Sequence, residues 1–470
     1  MNHIRIYQGN QIGGCVTVIT VVHNGETRRI MIDYGSSLPG SGVEKDFDYP
    51  WEDEPVDAVF FTHYHGDHVG RIAEIPRGIP LYMGATARQA MINIEDALSK
   101  SRKSSEEERE LHRQKLELLQ DDETVNVFNY NGSFYDPIDD IPGFHIEPFS
   151  VDHSAYDAYM FLIELEDDTR PDGKYRVLHT GDFRGHGRRG HVMLPLIWKA
   201  VRRKGKRNVD ALVIEGTMMS RMTEKVLTEE QMQREAEEYL TKNKYAFLIC
   251  SSTNVDSLAS FYEAAQWAGG YPHGRYMYVY SNYFLKQLEL YTHTAGSYAT
   301  IYRFLKTDLL DNMDKQHKSA RMTEPMTQRQ LMERNGFLAV IKPEDFCEKY
   351  IDMFMEAYNS GRINQKPVLI YSMWEEYINP KNDKVQKDKW IAFIEKQKAK
   401  GIEVKRLHTS GHATASMIEE VINAVAPTDK IYPMHTERAD AFPELNIGSL
   451  RDKIVPQNDE SYVRITYKHE

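Results

Sequence analysis

Short apolar runs separated by polar turns predict a series of β-strands along the first half of the chain. Some runs alternate apolar and polar positions, as half-buried strands do, and others are continuously apolar. The segment His23-Asn24-Gly25 joins the first two runs and is a strong hairpin signal, because Asn and Gly tolerate positive φ. The predicted strands lie at residues 15–23, 28–33, 56–62, 145–151, 158–166, 175–180 and 210–215.

Two stretches with helical patterns lie between these strands, at residues 85–98 and 104–120. The second opens with Ser104-x-x-Glu107, which predicts a capping box at its N-terminus. It is polar on most faces, so the pattern favours a solvated insertion over a helix that binds a partner.

The pattern changes after Glu215 to strand–helix–strand units, with strands at 246–251, 275–280 and 367–372 and a helix at 255–268. This order favours a small open α/β domain. Short strands return from residue 402, and 462–467 is the last of them. We therefore predict an α/β protein with a discontinuous domain, residues 1–215 and 401–470, interrupted by a second domain at 216–400.

Composition agrees with a folded protein of two domains. The chain has 470 residues, 41% of them hydrophobic, and domains usually contain about 100–200 residues. Its three cysteines, Cys15, Cys250 and Cys347, are far apart in sequence, which excludes a disulfide framework and a thiolate zinc finger. The N-terminus lacks an apolar signal segment and no run of 18 apolar residues occurs, so we expect a soluble cytoplasmic protein without membrane contact.

The strongest candidate chemistry is the segment Thr62-His63-Tyr64-His65-Gly66-Asp67-His68, directly after a predicted strand. Imidazole and carboxylate groups are the ligands that zinc prefers. Residues i and i+2 of extended backbone share a side, so His63 and His65 can bind one metal. Asp67 and His68 then face a second metal, because one tetrahedral site does not need four ligands packed so tightly.

Further ligands are predicted at the ends of later strands. His153, Asp182 and His435 each follow a strand, as convergence on one edge of a sandwich requires. Taken alone, a histidine at such a position is more often a hydrogen-bonded surface residue than a ligand. We assign the first zinc to His63, His65 and His153 and the second to Asp67, His68 and His435, with Asp182 bridging the two.

These residues, in this order, resemble a known family. Asp33, the HxHxDH loop, His153 and Asp182 look like the four motifs of metallo-β-lactamase-fold enzymes, and Glu215, His412 and His435 look like the three motifs of the β-CASP group. The resemblance covers residues 8 to 465 and is greatest to ribonuclease J-type RNA-processing enzymes. It implies an αββα sandwich that is split in sequence by a β-CASP domain, with two zinc ions (manganese is an alternative) at the active site.

The resemblance also implies the activity. The histidine His435 at the last motif accompanies RNA substrates in this family, so we expect hydrolysis of RNA phosphodiester bonds by a two-metal mechanism that uses Asp67 and Asp182. His412 is the candidate proton donor to the departing oxygen, although a histidine that caps the following helix is the plain alternative. Asp33 and Glu215 are expected to orient ligand imidazoles or His412, although Asp33 before Gly35 would also suit a turn.

Substrate contacts are predicted around the same motifs. The candidates for binding phosphate are His408, Ser410, Gly411 and Arg184. Arg184 opens a basic run at 184–207, and such a run is as often only a solvated helix face. Tyr276, Tyr278 and Tyr280 alternate on a predicted strand, where buried aromatic packing is favoured over base stacking.

Two departures from the family limit the prediction. The chain as given ends at Glu470, without the C-terminal domain through which ribonuclease J-type enzymes self-associate, so the oligomeric state stays open. The Gly- and Ser-rich loop that holds a 5′-monophosphate in those enzymes is replaced here by the segment 371–375, so endonuclease and 5′-exonuclease modes are equally compatible.

Three rival functions remain at this point. The net charge of −12 is unusual for a nucleic-acid-binding protein and would suit hydrolysis of a small ester or phosphodiester. A DNA nuclease and a non-catalytic scaffold subunit are also compatible with the fold. The scaffold is disfavoured because every ligand position is filled.

Overall fold

The computed structural model describes residues 2–38, 46–132, 134–201, 209–270, 274–294, 302–317, 325–379, 388–456 and 462–464. The chain divides into two compact units. The first unit contains Met1–Lys225 and Gly411–Glu470, and the second contains Val226–Ser410. Both junctions fall later in the chain than the predicted 215 and 400.

The first unit contains two β-sheets. One has the order β20-β1-β2-β3-β4-β5-β6, with strands β1 (His3–Tyr7), β2 (Val16–His23), β3 (Glu26–Ile32), β4 (Ala58–Phe60), β5 (Leu81–Met83), β6 (Val125–Val127) and β20 (Tyr462–Arg464). The other has the order β19-β10-β9-β8-β7, with strands β7 (Phe144–Ser150), β8 (Tyr159–Glu166), β9 (Lys174–His179), β10 (Ala211–Glu215) and β19 (Lys430–Met434).

The two sheets pack face to face around one apolar core. Ile19 and Phe60 of the first sheet share this core with Phe161, Val177 and Val213 of the second. These side chains are at most 1% exposed, and burial of such groups is the main source of folding free energy.

Helices cover the sheets of the first unit, which contains α1 (Gly66–Val69), α2 (Ala85–Ser99), α3 (Glu106–Gln120), α4 (Gly190–Val201) and, late in the chain, α11 (Ala415–Val425). Helices α4 and α11 pack on the face of the second sheet that points away from the shared core. Helices α2 and α3 contact each other, and α3 contacts β6. Short 3-10 helices occur at Ile72–Glu74, Thr217–Arg221, Ala439–Glu444 and Gly448–Lys453.

The second unit is built on a parallel sheet of order β13-β12-β16-β11-β17-β18, as the strand–helix–strand pattern predicts. Its strands are β11 (Tyr245–Cys250), β12 (Met277–Val279), β13 (Thr307–Leu309), β16 (Phe337–Ile341), β17 (Val368–Ser372) and β18 (Val404–Arg406), with β14 (Gln316–His317) and β15 (Met326–Thr327) forming a separate antiparallel pair. Its helices are α5 (Glu229–Lys242), α6 (Val255–Ala268), α7 (Asn282–His293), α8 (Gln328–Asn335), α9 (Asp345–Asn359) and α10 (Asp388–Ala399), and 3-10 helices lie at Leu310–Asn312 and Glu375–Ile378.

Local sequence signals have mixed outcomes. The predicted hairpin is confirmed, with φ of 51° at Asn24 and 83° at Gly25. The capping box is displaced by one residue from the prediction. Ser105 accepts from the amide of Glu108, and the Glu108 carboxylate accepts from the amide of Ser105. Adjacent Ser104 and Ser105 followed by consecutive glutamates fit the motif in either register, so the pattern alone does not select one.

Within the described residues, no helix has the length and apolar character needed to cross a lipid bilayer.

Candidate metal centre

The segment from His63 to His68, which spans the loop after β4 and the start of α1, carries four candidate ligands, and Asp33 fixes its conformation. The Asp33 carboxylate accepts hydrogen bonds from the amide and the hydroxyl of Thr62, both at 2.8 Å. It also lies 2.8 Å from Nδ1 of His68. Nδ1 therefore donates to the Asp33 carboxylate, and the other ring nitrogen, Nε2, points toward Asp182, at 3.1 Å from Oδ2.

Gly35 is required where the backbone after Asp33 passes this loop. A Cβ atom at Gly35 would lie 1.8 Å from the carbonyl oxygen of Asp67. Asp33 itself has φ of 61°, a left-handed conformation that non-glycine residues rarely adopt. Asp33 therefore combines this backbone conformation with the contact to His68.

Three histidines form the first group of candidate ligands. His63, His65 and His153 each place a ring nitrogen within 4.8 Å of those of the other two. Nε2 of His153 lies 3.3 Å from Nδ1 of His65. Nε2 of His63 is buried and has no hydrogen-bond partner among the described residues.

These three imidazoles are held in the unprotonated form. Burial lowers the pKa of His63 well below its ordinary value, and the neighbouring histidines lower it further. Burial likewise lowers the pKa of His65 to about 4 and that of His153 well below the ordinary range. Three converging lone pairs at neutral pH are what a bound cation requires.

Asp67, His68 and His435 form a second group, with donor atoms also within 4.8 Å of one another. Oδ2 of Asp67 lies 3.4 Å from Nε2 of His435. Burial alone would raise the pKa of the Asp67 carboxyl, but His68 and His435 outweigh burial and hold the pKa below its usual range.

Asp182 lies between the two groups. Its carboxylate, 1% exposed, contacts His68, and its Oδ1 lies 3.8 Å from Nδ1 of His435. Burial would raise the pKa of Asp182, but the surrounding histidines, His435 first, hold it well below the ordinary value. With His63, Asp182 and His68 form a further group of candidate ligands, so Asp182 is shared between neighbouring clusters.

His435 is positioned by two groups that sequence reasoning did not identify. The hydroxyl of Thr217 lies 2.9 Å from its Nδ1, and the amide of Gly13 donates to its Nε2 at 3.0 Å. Its backbone φ is 51°, so this histidine also occupies the left-handed region. Thr217 follows Glu215 by two residues, and that closeness to a motif is the signal that would have identified it.

His412 stands at the edge of the cluster. Its Nδ1 lies 3.4 Å from Oδ2 of Asp182 and 3.4 Å from Oε2 of Glu215, and its side chain is 24% exposed. Although burial would lower the pKa of His412, Glu215 and Asp182 raise it to about 9. The capping alternative is wrong, because Thr414 caps α11 through its hydroxyl, which accepts from the amide of Met417.

Glu215 is enclosed by backbone amides. Its carboxylate accepts from Phe183, Thr217 and Ala413 at 3.0, 3.2 and 3.3 Å. Glu215 therefore links the segment after Asp182 to the segment that carries His412.

One predicted phosphate contact is wrong. Arg184 is fully buried, and its Nε lies 3.8 Å from Oδ1 of Asp152, so its side chain does not reach solvent. Arg189 is also buried, at 1% exposure. Proximity in sequence to Asp182 does not give these two side chains access to solvent, because both Arg184 and Arg189 fold inward. Residues 202–207 of the basic run lie outside the described residues.

The other predicted contacts are divided between the units. Gly411 belongs to the first unit, and a Cβ atom there would lie 2.7 Å from Oγ of Ser154. His408 and Ser410 belong to the second unit, and their role in binding phosphate stays a prediction. Of the aromatic residues on the predicted strand, Tyr278 is buried at 3% exposure, whereas Tyr276 is 46% exposed.

Residues 12–146 match the family model of the Metallo-beta-lactamase superfamily. The chain carries a metallo-β-lactamase superfamily domain. The matched segment contains Asp33 and the whole loop from His63 to His68. No curated protein matches the chain.

Solved structures align with this chain, and the first of them shows the same fold. A protein of unknown function from Enterococcus faecalis V583 aligns with a TM-score of 0.65 at 17% identity, covering 98% of this chain and 99% of that one. MEM-A1, a subclass B3 metallo-β-lactamase from a soil metagenome library, aligns with a TM-score of 0.27 at 13% identity, covering 44% of this chain and 74% of that one. The class B3 di-zinc metallo-β-lactamase LRA-12 from an Alaskan soil metagenome aligns with a TM-score of 0.23 at 16% identity, covering 37% of this chain and 61% of that one.

Proposed function

We propose that the protein is a metal-dependent hydrolase that cleaves phosphodiester bonds in RNA with two bound divalent cations, zinc in the first instance. One observation carries the proposal. Seven histidine and aspartate side chains, spread from His63 to His435, converge on one buried cluster, and His412 lies at its edge. The match to the metallo-β-lactamase superfamily supports the broader class, a metal-dependent hydrolase.

The donor set fits two cations. His63, His65 and His153 would hold one, and Asp67, His68 and His435 the other, with Asp182 shared. The buried Nε2 of His63 and Oδ1 of Asp182 have no hydrogen-bond partner among the described residues, and buried polar atoms normally have one. When bound, the metals supply Lewis-acid activation of water and of the phosphoryl group.

The chain's own residues would orient the reacting groups. Asp33 holds the His68 ring through Nδ1 and leaves Nε2 directed at the cluster. Glu215 and Asp182 contact His412 at Nδ1 and hold its ring at the edge of the cluster, where His412 would donate a proton to the departing sugar oxygen. The partial exposure of His412 supports this role, because a proton donor must reach the substrate.

RNA is the proposed substrate for two reasons. The α/β unit Val226–Ser410 is inserted between motifs of the metal centre, which resembles the arrangement of β-CASP nucleases. The histidine at position 435 resembles that of the RNA-specific members. The net charge of −12 supports the main alternative, hydrolysis of a small ester or phosphodiester, and a DNA nuclease is the other.

The test uses three versions of one RNA: 5′-phosphorylated, 5′-triphosphorylated and circular. Each is incubated with wild-type protein and with an Asp67→Ala/His68→Ala variant. His23→Ala is the matched control, because His23 lies at the β2–β3 hairpin and contacts Glu166 at 2.6 Å. We expect cleavage by wild type and the control but not by the double variant, and cleavage of the circle would establish an endonuclease.

The alternatives are separated in parallel. A DNA of the same sequence and a set of small esters and phosphodiesters are offered to the same proteins. Binding of RNA should weaken steeply as salt rises, because phosphate contacts release counterions, whereas binding of a small ester should change little. If no RNA is cut and a small ester is hydrolysed, the RNA assignment is wrong.

A further inference from the structure

We propose that Arg189 is a positioning residue for the metal centre: it holds the loop 151–157 in place, so that His153 stays at the correct distance from Asp182. The inference rests on the proposed function, because it takes His153 and Asp182 to be metal ligands.

The side chain of Arg189 contacts the backbone of the loop 151–157. Its Nη2 donates to the carbonyl oxygen of His153 at 2.8 Å and to that of Ala155 at 3.2 Å. Its guanidinium carbon lies 5.4 Å from the centre of the Tyr156 ring. A planar guanidinium can hold two carbonyl groups in a fixed geometry, which a lysine ammonium does less well.

Asp152, in the same loop, accepts hydrogen bonds from the segment 184–187, which precedes Arg189. The amide of Arg184 donates to the carbonyl oxygen of Asp152 at 2.7 Å, and the amide of Gly187 donates to Oδ2 of Asp152 at 2.8 Å. A Cβ atom at Gly187 would lie 2.2 Å from Oδ1 of Asp152, so the two segments pack without space for a larger residue. Because Asp182 precedes this segment and His153 follows Asp152, the contacts fix one ligand relative to the other.

A third contact holds the far end of the loop. Oδ2 of Asp157 accepts from the amide of Ala87 in α2 at 2.8 Å, and Asp157 has φ of 67°. All seven residues from 151 to 157 are buried. The loop is therefore fastened on both sides of His153.

The rings of His63 and His65 lie on one segment of the chain, and the ring of His153 lies on another. The position of His153 relative to the other two rings therefore depends on the backbone of the loop 151–157. A buried arginine with a merely structural role would affect folding stability but not the affinity of one metal in particular.

The experiment measures zinc affinity by competition with a chromophoric chelator, and the environment of bound cobalt by visible absorption. The variants are Arg189→Met, which keeps the size but removes the donors, and Arg189→Lys, which keeps the charge. The control is Arg170→Met. Arg170 is also buried in the first unit and donates to Asp210 at 2.8 Å. It lies before β9, at the opposite end of that strand from Asp182.

We expect Arg189→Met to weaken the binding of one of the two zinc ions by about 10- to 100-fold, as loss of groups that support metal ligands commonly does. Arg189→Lys should lie between Arg189→Met and wild type, and the cobalt spectrum should change with it. Arg170→Met should unfold at a lower temperature but bind both ions with wild-type affinity. If Arg189→Met does not fold, Arg189→Lys decides the question by the same two measurements.

Wild-type affinity for both ions in the Arg189 variants would overturn the inference, and so would an equal loss in Arg170→Met. A wild-type protein that binds no zinc would overturn the proposed metal centre as well. A selective loss in the Arg189 variants would support the inference even if no RNA were cleaved, so failure of the substrate assignment is distinguishable from failure of the inference.

Discussion

Nδ1 of His68 lies 2.8 Å from Oδ2 of Asp33, and both side chains are almost completely buried. The contact joins the residue that follows β3 to helix α1. Burial would lower the pKa of His68, but Asp182, Asp33 and Asp67 together raise it well above the ordinary value. In the absence of metal this histidine is therefore the positive partner of several carboxylates, and a bound cation would take over that role.

Replacing Asp33 by asparagine should weaken metal binding. Asparagine has nearly the same shape as aspartate, but only one of its two terminal atoms is an oxygen that can accept hydrogen bonds. It therefore cannot accept from the amide and hydroxyl of Thr62 and from Nδ1 of His68 as both carboxylate oxygens do. We expect a loss of zinc affinity of about 10- to 100-fold, measured by chelator competition. Asp57→Asn is the matched control, because Asp57 accepts from the amide of Arg29 at 2.7 Å away from the cluster. Equal zinc affinity in the wild type and Asp33→Asn would contradict this role.

Removal of metal should destabilise the first unit. A cation that binds only the folded state at 100 times its Kd stabilises that state by about 2.7 kcal/mol. Thermal unfolding of chelator-treated protein should therefore shift upward as zinc is added. The Asp67→Ala/His68→Ala variant should shift less, because it lacks two of the proposed ligands. An unfolding temperature that does not respond to zinc in wild type would count against a metal centre in this cluster.

The sequence predicted many strands of both units, such as β8 and β11, because their apolar runs are continuous or alternating. It did not predict β1, β5 or β16. Val255–Ala268 forms the helix predicted at those residues, since Asn254 caps it and Gly269-Gly270 follows it. The candidate ligands were accessible to sequence reasoning for a similar reason. Side chains at strand ends meet at the edge of a sheet, so their order in sequence indicates their proximity in space.

Sequence reasoning did not identify the groups that act through backbone. The amide of Gly13 and the carbonyl oxygens bound by Arg189 carry no side-chain signature. Arg184 is predicted at the substrate because it follows Asp182 closely in sequence, but its side chain is buried beside Asp152. Burial of a charged residue depends on such tertiary contacts, and these are not visible in local composition.

Glu348 in α9 should contribute to the stability of the second unit in a pH-dependent way. Its carboxylate accepts from Lys400 at 2.5 Å and from Lys396 at 2.9 Å. Burial would raise its pKa, but these contacts lower it to about 2. A carboxyl whose pKa is depressed in the folded state stabilises that state above the pKa of the unfolded chain, near 4.5, and loses this effect as the pH falls toward 2.

Glu348→Gln should accordingly reduce the free energy of unfolding at pH 7 by about 1–2 kcal/mol, since Lys396 is exposed and partly screened by solvent. The difference from wild type should shrink between pH 5 and pH 2, as measured by urea unfolding followed through tryptophan fluorescence. Glu395→Gln is the control, because Glu395 is 61% exposed and pairs with Lys398 on the same helix. A difference that is constant with pH would show that the ionised carboxylate is not responsible.

His412→Ala should abolish most catalysis while leaving the metals bound. The proposed ligands do not include His412, and a proton donor typically contributes about 10²- to 10⁴-fold to the rate of the chemical step. We therefore expect kcat on RNA to fall within that range while KM and the zinc content stay close to wild type, as measured by steady-state kinetics and metal analysis of the same preparation. Loss of one zinc ion together with activity would instead identify His412 as a ligand. His412 forms a group of candidate ligands with Asp182, Glu215 and His435, so the zinc content is measured for this variant. An RNA with a sulfur leaving atom at the cleaved bond separates the two roles further. Such a leaving group needs no proton, so the variant should recover activity on it only if His412 donates the proton.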